Sequence, residues 1–378
     1  MLQDFVGGLL AFIFTVVIMP FIIKIARQKN FYDLPNERKT HLTPIPSLGG
    51  IGIFIGLILT LLLTSDFTNY YPDFQYYLAG FFVLFIFGVL DDIFALSAFK
   101  KVLGQLAVAT IMTVKGHLLL TSLHGFLGIG EVSPAVSYLI TFFTILLIIN
   151  SYNLIDGVDG LAGSLGLLSM LFFGVVLYFN HDTAHALLAF AMAGSLVAFL
   201  IFNFYPAKIF MGDSGSMLVG LVNAVLFIRF IETGSSISTI PLPSALTIGM
   251  GIILLPLMDV LRVFCIRIYH HRSPFSPDRN HIHHMLLNKG FTHPMVTFTL
   301  LLLSIFFTIT SIAFQGVQIS LAVFGLAAVF FLSVVLLKYT PPRRRWLRVV
   351  TNKDLATPTK DVKIVPIFTE ETAVVKED

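Results

Sequence analysis

The run Leu139-Ile-Thr-Phe-Phe-Thr-Ile-Leu-Leu-Ile-Ile149 passes without a break into Asn150-Ser-Tyr-Asn153-Leu-Ile-Asp156-Gly-Val-Asp159-Gly160. Extended back to about residue 134, the apolar part approaches the roughly 20 residues that a bilayer-spanning helix needs. The polar part packs two Asn and two Asp into ten residues, just where such a helix would leave the hydrocarbon. Ionised carboxylates at membrane depth are costly, so they are usually functional or paired. Gly157 and Gly160 permit a backbone turn that a membrane helix would otherwise resist. Oxygen-only donors of this kind suit a hard cation such as Mg²⁺; an ordinary capped turn uses the same residue types.

The rest of the chain extends the same pattern. Of 378 residues, 56% are hydrophobic and 12% charged, against about 25% charged in an ordinary soluble domain. A soluble chain this apolar could not cover its own surface. The composition excludes a soluble enzyme, a disordered protein and a nucleic-acid binder. The net charge of +3 is too small to imply a polyanionic partner. The single Cys265 excludes a disulfide framework and a Cys-rich metal site. This is an all-α polytopic membrane protein.

Apolar runs predict eleven spans, at about 2–26, 48–65, 76–94, 100–118, 134–152, 160–180, 184–203, 212–231, 240–268, 294–314 and 317–337. Lys/Arg bias in short loops sets orientation. With the loop 28–47 in the cytoplasm, only Lys115 and Arg229 of the 24 basic residues fall near the outer side. That arrangement places the N-terminus outside and the C-terminus inside. The outer loops look chemically plain, whereas the cytoplasmic loops hold nearly every polar cluster. The chain divides into a membrane domain over 1–340 and a basic cytosolic tail over 341–378, whose Arg343-Arg344-Arg345-Trp346 run reads as an interfacial anchor.

Four further clusters face the same side as 150–160. Asp91-Asp92 ends the third span, and adjacent acids repel unless a cation or proton lies between them. Lys101, nine residues after Asp92, could neutralise them or hold a phosphate. Phe210-Met-Gly-Asp213-Ser-Gly-Ser216 puts an acid at a helix start, where backbone N–H groups favour a carboxylate or a phosphate, and where plain N-capping also explains it. Arg279-Asn-His281-Ile-His283-His284 offers diphosphate donors more readily than a zinc site, since the neighbouring carboxylates are hard-metal ligands. The first inner loop carries Arg38-Lys39-Thr-His41 and ends on Gly49-Gly50, a pair that suggests close backbone approach. Asp259 and Arg262, one turn apart in the ninth span, are expected to pair with each other or with the site's polar edge.

Taken in order, Arg38-Lys39-x-His41…Gly49-Gly50, Asp91-Asp92…Lys101-x-x-Gly104-Gln105, Asn150-x-x-Asn153-x-x-Asp156-Gly-x-Asp159-Gly, Phe-Met-Gly-Asp213-Ser-Gly-Ser and His281-Ile-His283-His284 resemble the polyprenyl-phosphate N-acetylhexosamine-1-phosphate transferases. The resemblance covers about residues 30–290. Within that superfamily the motifs look like the WecA/TagO branch; the MraY branch typically shows three consecutive His, which Ile282 interrupts here.

The resemblance implies transfer of GlcNAc-1-phosphate, or another HexNAc-1-phosphate, from a UDP-sugar to undecaprenyl phosphate with release of UMP. It also implies a bacterial cytoplasmic membrane location with the site facing the cytosol. Asn153 and Asp213 would hold Mg²⁺, for which Mn²⁺ would substitute. Asp91 and Asp92 would position or deprotonate the lipid phosphate, and Asp156 would orient the nucleotide or the loop. Lys101, Arg279, His281, His283 and His284 would hold phosphates, with His281 counted among the catalytic groups. Arg38, Lys39, His41, Gly49, Gly50, Asn150 and Asp159 complete the expected substrate-binding set, and the resemblance leaves room for a homodimer. The rival from another class, a multi-pass transporter, predicts charges near the bilayer midplane and repeated halves. Here the acids gather at one face and no repeat is visible.

Overall fold

A computed structural model describes residues 2–29, 32–33, 45–64, 73–234, 244–273, 280–341, 348–349 and 364–365. Its helices follow the apolar runs: α1 Leu2–Gln28, α2 Gly49–Thr64, α3 Phe74–Phe94, α4 Ala98–Thr110, α5 Pro134–Ile155, α6 Leu161–Phe179, α7 Thr183–Asn203, α8 Gly212–Gly234, α9 Ala245–Tyr269, the short α10 Ile282–Asn288, α11 His293–Ala313 and α12 Ile319–Tyr339. Among the described residues nine helices are long and apolar enough to cross a membrane. The two other expected spans are α2, of 16 residues, and α4, which a π-helical turn Ile111–Lys115 prolongs. The chain is an all-α polytopic membrane protein.

Burial orders the bundle. α8 lies at the centre, with 94% of its apolar window inside the protein, while α12 has 22%. α2, α3, α5, α6, α7 and α9 surround α8; α1 packs on α7 and α2, and α11 and α12 pack on α9. Some polar side chains inside the helices return a donor to their own backbone: Asn223 donates to the Val219 carbonyl at 2.9 Å and Ser151 to the Ile148 carbonyl at 2.8 Å. With few waters to satisfy a backbone at this depth, that is the economical solution.

Glycine decides how closely the central helices meet. A Cβ on Gly50 of α2 would lie 2.2 Å from the backbone nitrogen of Gly215 in α8, and one on Gly88 of α3 would lie 2.4 Å from the Cα of Ser214. The start of α2 is also zipped to the strand-like entry into α8: Gly49 N–H donates to the Phe210 carbonyl at 2.9 Å and Gly50 N–H to the Met211 carbonyl at 2.8 Å. The close approach expected of Gly49-Gly50 is therefore to the chain's own backbone. Neither residue lines the cavity described below.

The opposite end of the bundle is less plain than its sequence suggests. Residues 119–133 contain a hairpin, β3 Ser122–Phe126 with β4 Ile129–Glu131, while the two-residue pair β1 Tyr32–Asp33 and β2 Ile45–Pro46 lies before α2. Glu232 accepts from the Thr121 amide and hydroxyl, and Leu127 N–H donates to Ser320, which pins the hairpin to α8 and α12. Asp182, the N-cap of α7, receives the His185 ring at 2.7 Å and Arg229 at 2.5 Å. Burial alone would raise the Asp182 carboxyl, but the hydrogen bond and charge of His185, followed by Arg229, hold it below the usual carboxylate range.

Candidate active site

At the other end, the ends of α3 and α5 and the starts of α4, α8 and α10 surround a cavity of about 490 Å³. Asp91, Asp92, Lys101, Asn153, Asp156, Asp159, Asp213 and His284 are on its wall. Five carboxyl groups thus share a pocket with one ammonium group among the described residues.

Asp91 and Asp92 have different tasks despite their adjacency. Asp91 turns back over the end of α3, accepts from Leu96 N–H at 2.6 Å and pairs with Lys101. Asp92 points across to α8 and accepts from Asp213 N–H at 2.6 Å, Ser214 N–H at 3.1 Å and the Ser214 hydroxyl at 2.6 Å. It is an N-cap supplied by another helix. The cap satisfies amides that α8 leaves unpaired and meets the positive end of the helix dipole. Through these bonds Asp92 holds the backbone of residues 213 and 214 in place.

Asp213 is the hub. Lys101 donates to its Oδ2 at 2.6 Å, and Asn153 Nδ2 donates to its Oδ1 at 3.0 Å while also reaching Ser216 Oγ at 3.0 Å. Asn153 and Asp213, 60 residues apart in the chain, are therefore side by side. Asp156, in the turn between α5 and α6, is half-buried on the cavity wall, and none of the side-chain hydrogen bonds among the described residues involves it. Burial first, then the charges of Asp213, Asp92 and Asp159, push its carboxyl up to about 8. An acid held off ionisation by its neighbours marks a place that lacks positive charge.

The donors fit Mg²⁺ on that ground. The pocket holds hard oxygen ligands, an excess of carboxylates, and an acid whose side chain has no hydrogen bond among the described residues. No three His, Cys, Asp or Glu side chains converge on one point among the described residues. Mg²⁺ needs no such cage, because it takes one or two protein groups and completes its shell with water and phosphate oxygens.

Several expected substrate contacts are instead engaged with the protein itself. Asn150 is absent from the wall; its Nδ2 donates to Gln105 Oε1 at 2.8 Å and to the Leu146 carbonyl, bracing α5 against α4. Asp159 is buried, accepts from Ala207 N–H at 3.1 Å and lies 3.0 Å from His293 Nδ1, while its carbonyl accepts from Thr297. It ties the α5–α6 turn to the entry of α8 and to α11 more than it presents a ligand. His281 is buried and bonded to Asp259 at 2.9 Å, off the cavity wall, whereas His284 is on it. Between them, His283 packs on Gly157, where a Cβ would meet its Nε2 at 2.4 Å. Burial, then the charge of His284, pushes the His283 ring down to about 3, against the pull of Asp259. Arg38, Lys39, His41 and Arg279 lie outside the described residues. Ser214 and Ser216 were legible only as part of the Met-Gly-Asp-Ser-Gly-Ser stretch, and nothing local marks His293 or Thr297.

The chain is similar in sequence to known proteins. The model of the glycosyl transferase family 4 matches residues 74–231, which contain every wall group named above except His284. The undecaprenyl-phosphate alpha-N-acetylglucosaminyl 1-phosphate transferase of Escherichia coli O157:H7 is 36% identical over 286 residues, 74% of this chain and 76% of the relative. The protein of the same name from Yersinia pestis is 32% identical over the same shares. A probable undecaprenyl-phosphate N-acetylglucosaminyl 1-phosphate transferase of Bacillus subtilis (strain 168) is 29% identical over 324 residues, 86% of this chain and 88% of the relative. With a site built from the motifs that these matches span, the chain belongs to glycosyl transferase family 4, in the polyprenyl-phosphate N-acetylhexosamine-1-phosphate transferase superfamily and its WecA/TagO branch.

Proposed function

We propose that this protein transfers GlcNAc-1-phosphate from UDP-GlcNAc to undecaprenyl phosphate, releasing UMP, at the cytosolic face of a bacterial cytoplasmic membrane. The observation that carries this reading is the acid-lined cavity at one end of a membrane bundle, held together by Asp92, Lys101, Asn153 and Asp213. A lipid phosphate cannot leave the bilayer and a nucleotide sugar cannot enter it. They can meet only at such an end.

In the reaction, an oxygen of the lipid phosphate attacks the β-phosphorus of the UDP-sugar. A phosphorus–oxygen bond forms there as the bond to the bridging oxygen breaks, and UMP leaves with that oxygen. Two anions must approach each other, so neutralising charge should supply most of the catalysis. Mg²⁺ bound by Asn153 and Asp213 would supply Lewis-acid charge to the diphosphate oxygens. Lys101, already between Asp91 and Asp213, can swing its ammonium group from these carboxylates to hydrogen-bond an incoming phosphate. Asp91, released from that pair, faces the nucleophile, and His284 faces the same space. Asp92 keeps Asp213 aimed throughout.

Purified protein with undecaprenyl phosphate and a panel of UDP-HexNAc donors should release UMP, fastest with UDP-GlcNAc. Release only with UDP-MurNAc-pentapeptide would move the protein to the MraY-like reaction, and no release with any donor would defeat the reading. With eleven spans, α2 and α4 among them, and the basic loops inside, the cavity would face the cytosol. Reporters fused after Asp33, Ser276 and Asp354 should then report cytoplasm, and one within 119–133 the outside. A reporter after Ser276 found outside would overturn the orientation.

A further inference from the structure

Asp259 is fully buried (0% exposed) near the middle of the cavity end of α9, and it does not line the cavity. A buried carboxylate is retained only where partners satisfy it. Here they come from two directions. Arg262, one turn along, donates to Oδ1 at 2.9 Å. From the incoming chain, Ile282 N–H donates to Oδ1 at 3.1 Å and His281 Nδ1 stands 2.9 Å from Oδ2. Arg262 also donates to the Asn280 carbonyl. Residues 280, 281 and 282 are thus each held by a side chain of α9.

That grip matters because α10 has only seven residues, and its N-cap, His281, makes no side-chain cap of its own. A helix so short does not persist unaided. Asp259 supplies the missing acceptor at its first amide. It also fixes the His281 tautomer: a carboxylate only accepts, so Nδ1 carries the proton. The His281 ring in turn stacks on His283, with centroids 5.6 Å apart and planes 6° apart, and His283 meets His284 at 4.3 Å. The chain of rings ends on the cavity wall.

We propose that Asp259 is a positioning residue for this site, clamping residues 280–282 so that α10 presents His284 to the cavity. As a consequence His281 serves as the handle of the clamp and does not react with substrate. The inference rests on the transferase reading for its kinetic test, but the clamp itself can be measured without turnover.

In hydrogen exchange, Asp259→Ala should lose protection over 282–288 while the spans keep theirs; unchanged exchange there overturns the proposal, whatever the activity. In UMP release, Asp259→Ala should lower kcat/KM about tenfold or more, as loss of a supporting partner commonly does. In a His284→Ala background the same substitution should cost less than about threefold, since coupled groups are not additive. An equal loss in both backgrounds means general destabilisation and overturns the proposal. Should Asp259→Ala fail to fold, His281 decides. His281→Asn offers an amide N–H near the position of Nδ1 and should stay within about fivefold of wild type, while His281→Ala falls tenfold or more. Equal losses would make the ring a reacting group, and two wild-type results would leave the clamp idle; either overturns the proposal. Wild-type protein that releases no UMP, beside altered exchange in Asp259→Ala, would defeat the transferase reading and leave the clamp standing.

Discussion

Asp213→Asn should fold, insert and yield as well as the wild type, yet lose roughly 100-fold or more of its turnover. Folding should survive because Asp213 shares its pocket with Asp91, Asp92, Asp156 and Asp159, so removing one negative charge relieves repulsion. Asn also begins a helix about as well as Asp, and the Asp92 cap grips the backbone amide of residue 213, which the substitution leaves in place. Turnover should collapse because the variant loses the charge a hard cation needs. It also gains an N–H₂ group that must face either Lys101 or Asn153, both already donors. A second readout separates binding from chemistry: millimolar Mg²⁺ should raise the unfolding temperature of the wild type through preferential binding to the folded state, and should not raise that of the variant. EDTA should abolish wild-type activity reversibly. Normal turnover of Asp213→Asn at low Mg²⁺ would make Asp213 a helix-start charge and nothing more.

Gly88→Ala should damage the site strongly for a single added methyl. The added carbon would lie 2.4 Å from Ser214 Cα and 2.7 Å from Ser214 N, and backbone cannot rotate away as a flexible side chain can. α3 and α8 must part, at a cost of about 1–3 kcal/mol for an overpacked core. The damage is concentrated at the site, because Ser214 is the residue that Asp92 grips through both its amide and its hydroxyl. Displacement near 1 Å at reacting groups costs on the order of 100-fold in rate. Gly130→Ala is the matched control: no atom lies within 4 Å of the added carbon, so activity and unfolding temperature should hold. A Gly88→Ala enzyme with wild-type kcat and KM would show that the Asp92–Asp213 geometry has slack and that the cap is not what aims the acid.

Sequence and structure speak to different parts of this molecule. Hydropathy is a sum over neighbours in the chain, so the spans could be read directly. Residues 160–180 are observed as Leu161–Phe179, and 184–203 as Thr183–Asn203. The motif residues could be read for the same reason: an Asn, two Asp and two Gly in a short turn are a local chemical statement. The separate helix α10 was not legible within 270–284, because its cap comes from Asp259 on α9 and not from its own first residue. Nor was the trio of buried Asp182 and His185 with the part-exposed Arg229, since Arg229 reaches back 47 residues to make it.

The residue types, their order and their placement at helix ends were properties of the chain alone, and they were enough to set the membrane architecture and the chemical class of the site. Which way each side chain turns was settled by tertiary packing. Asp91 and Asp92 are indistinguishable by sequence, but a helix rotates successive residues by about 100°. One therefore meets Lys101 on α4 and the other meets α8, 121 residues away. Asn150 turns to Gln105 while Asn153, nearly one turn on, faces Asp213. His281, ahead of α10, turns to Asp259, while His284, inside that helix, is on the cavity wall. Hydrogen-bond partners are chosen by proximity after the helices have packed, and close approach at Gly50 and Gly88 determines how near they come.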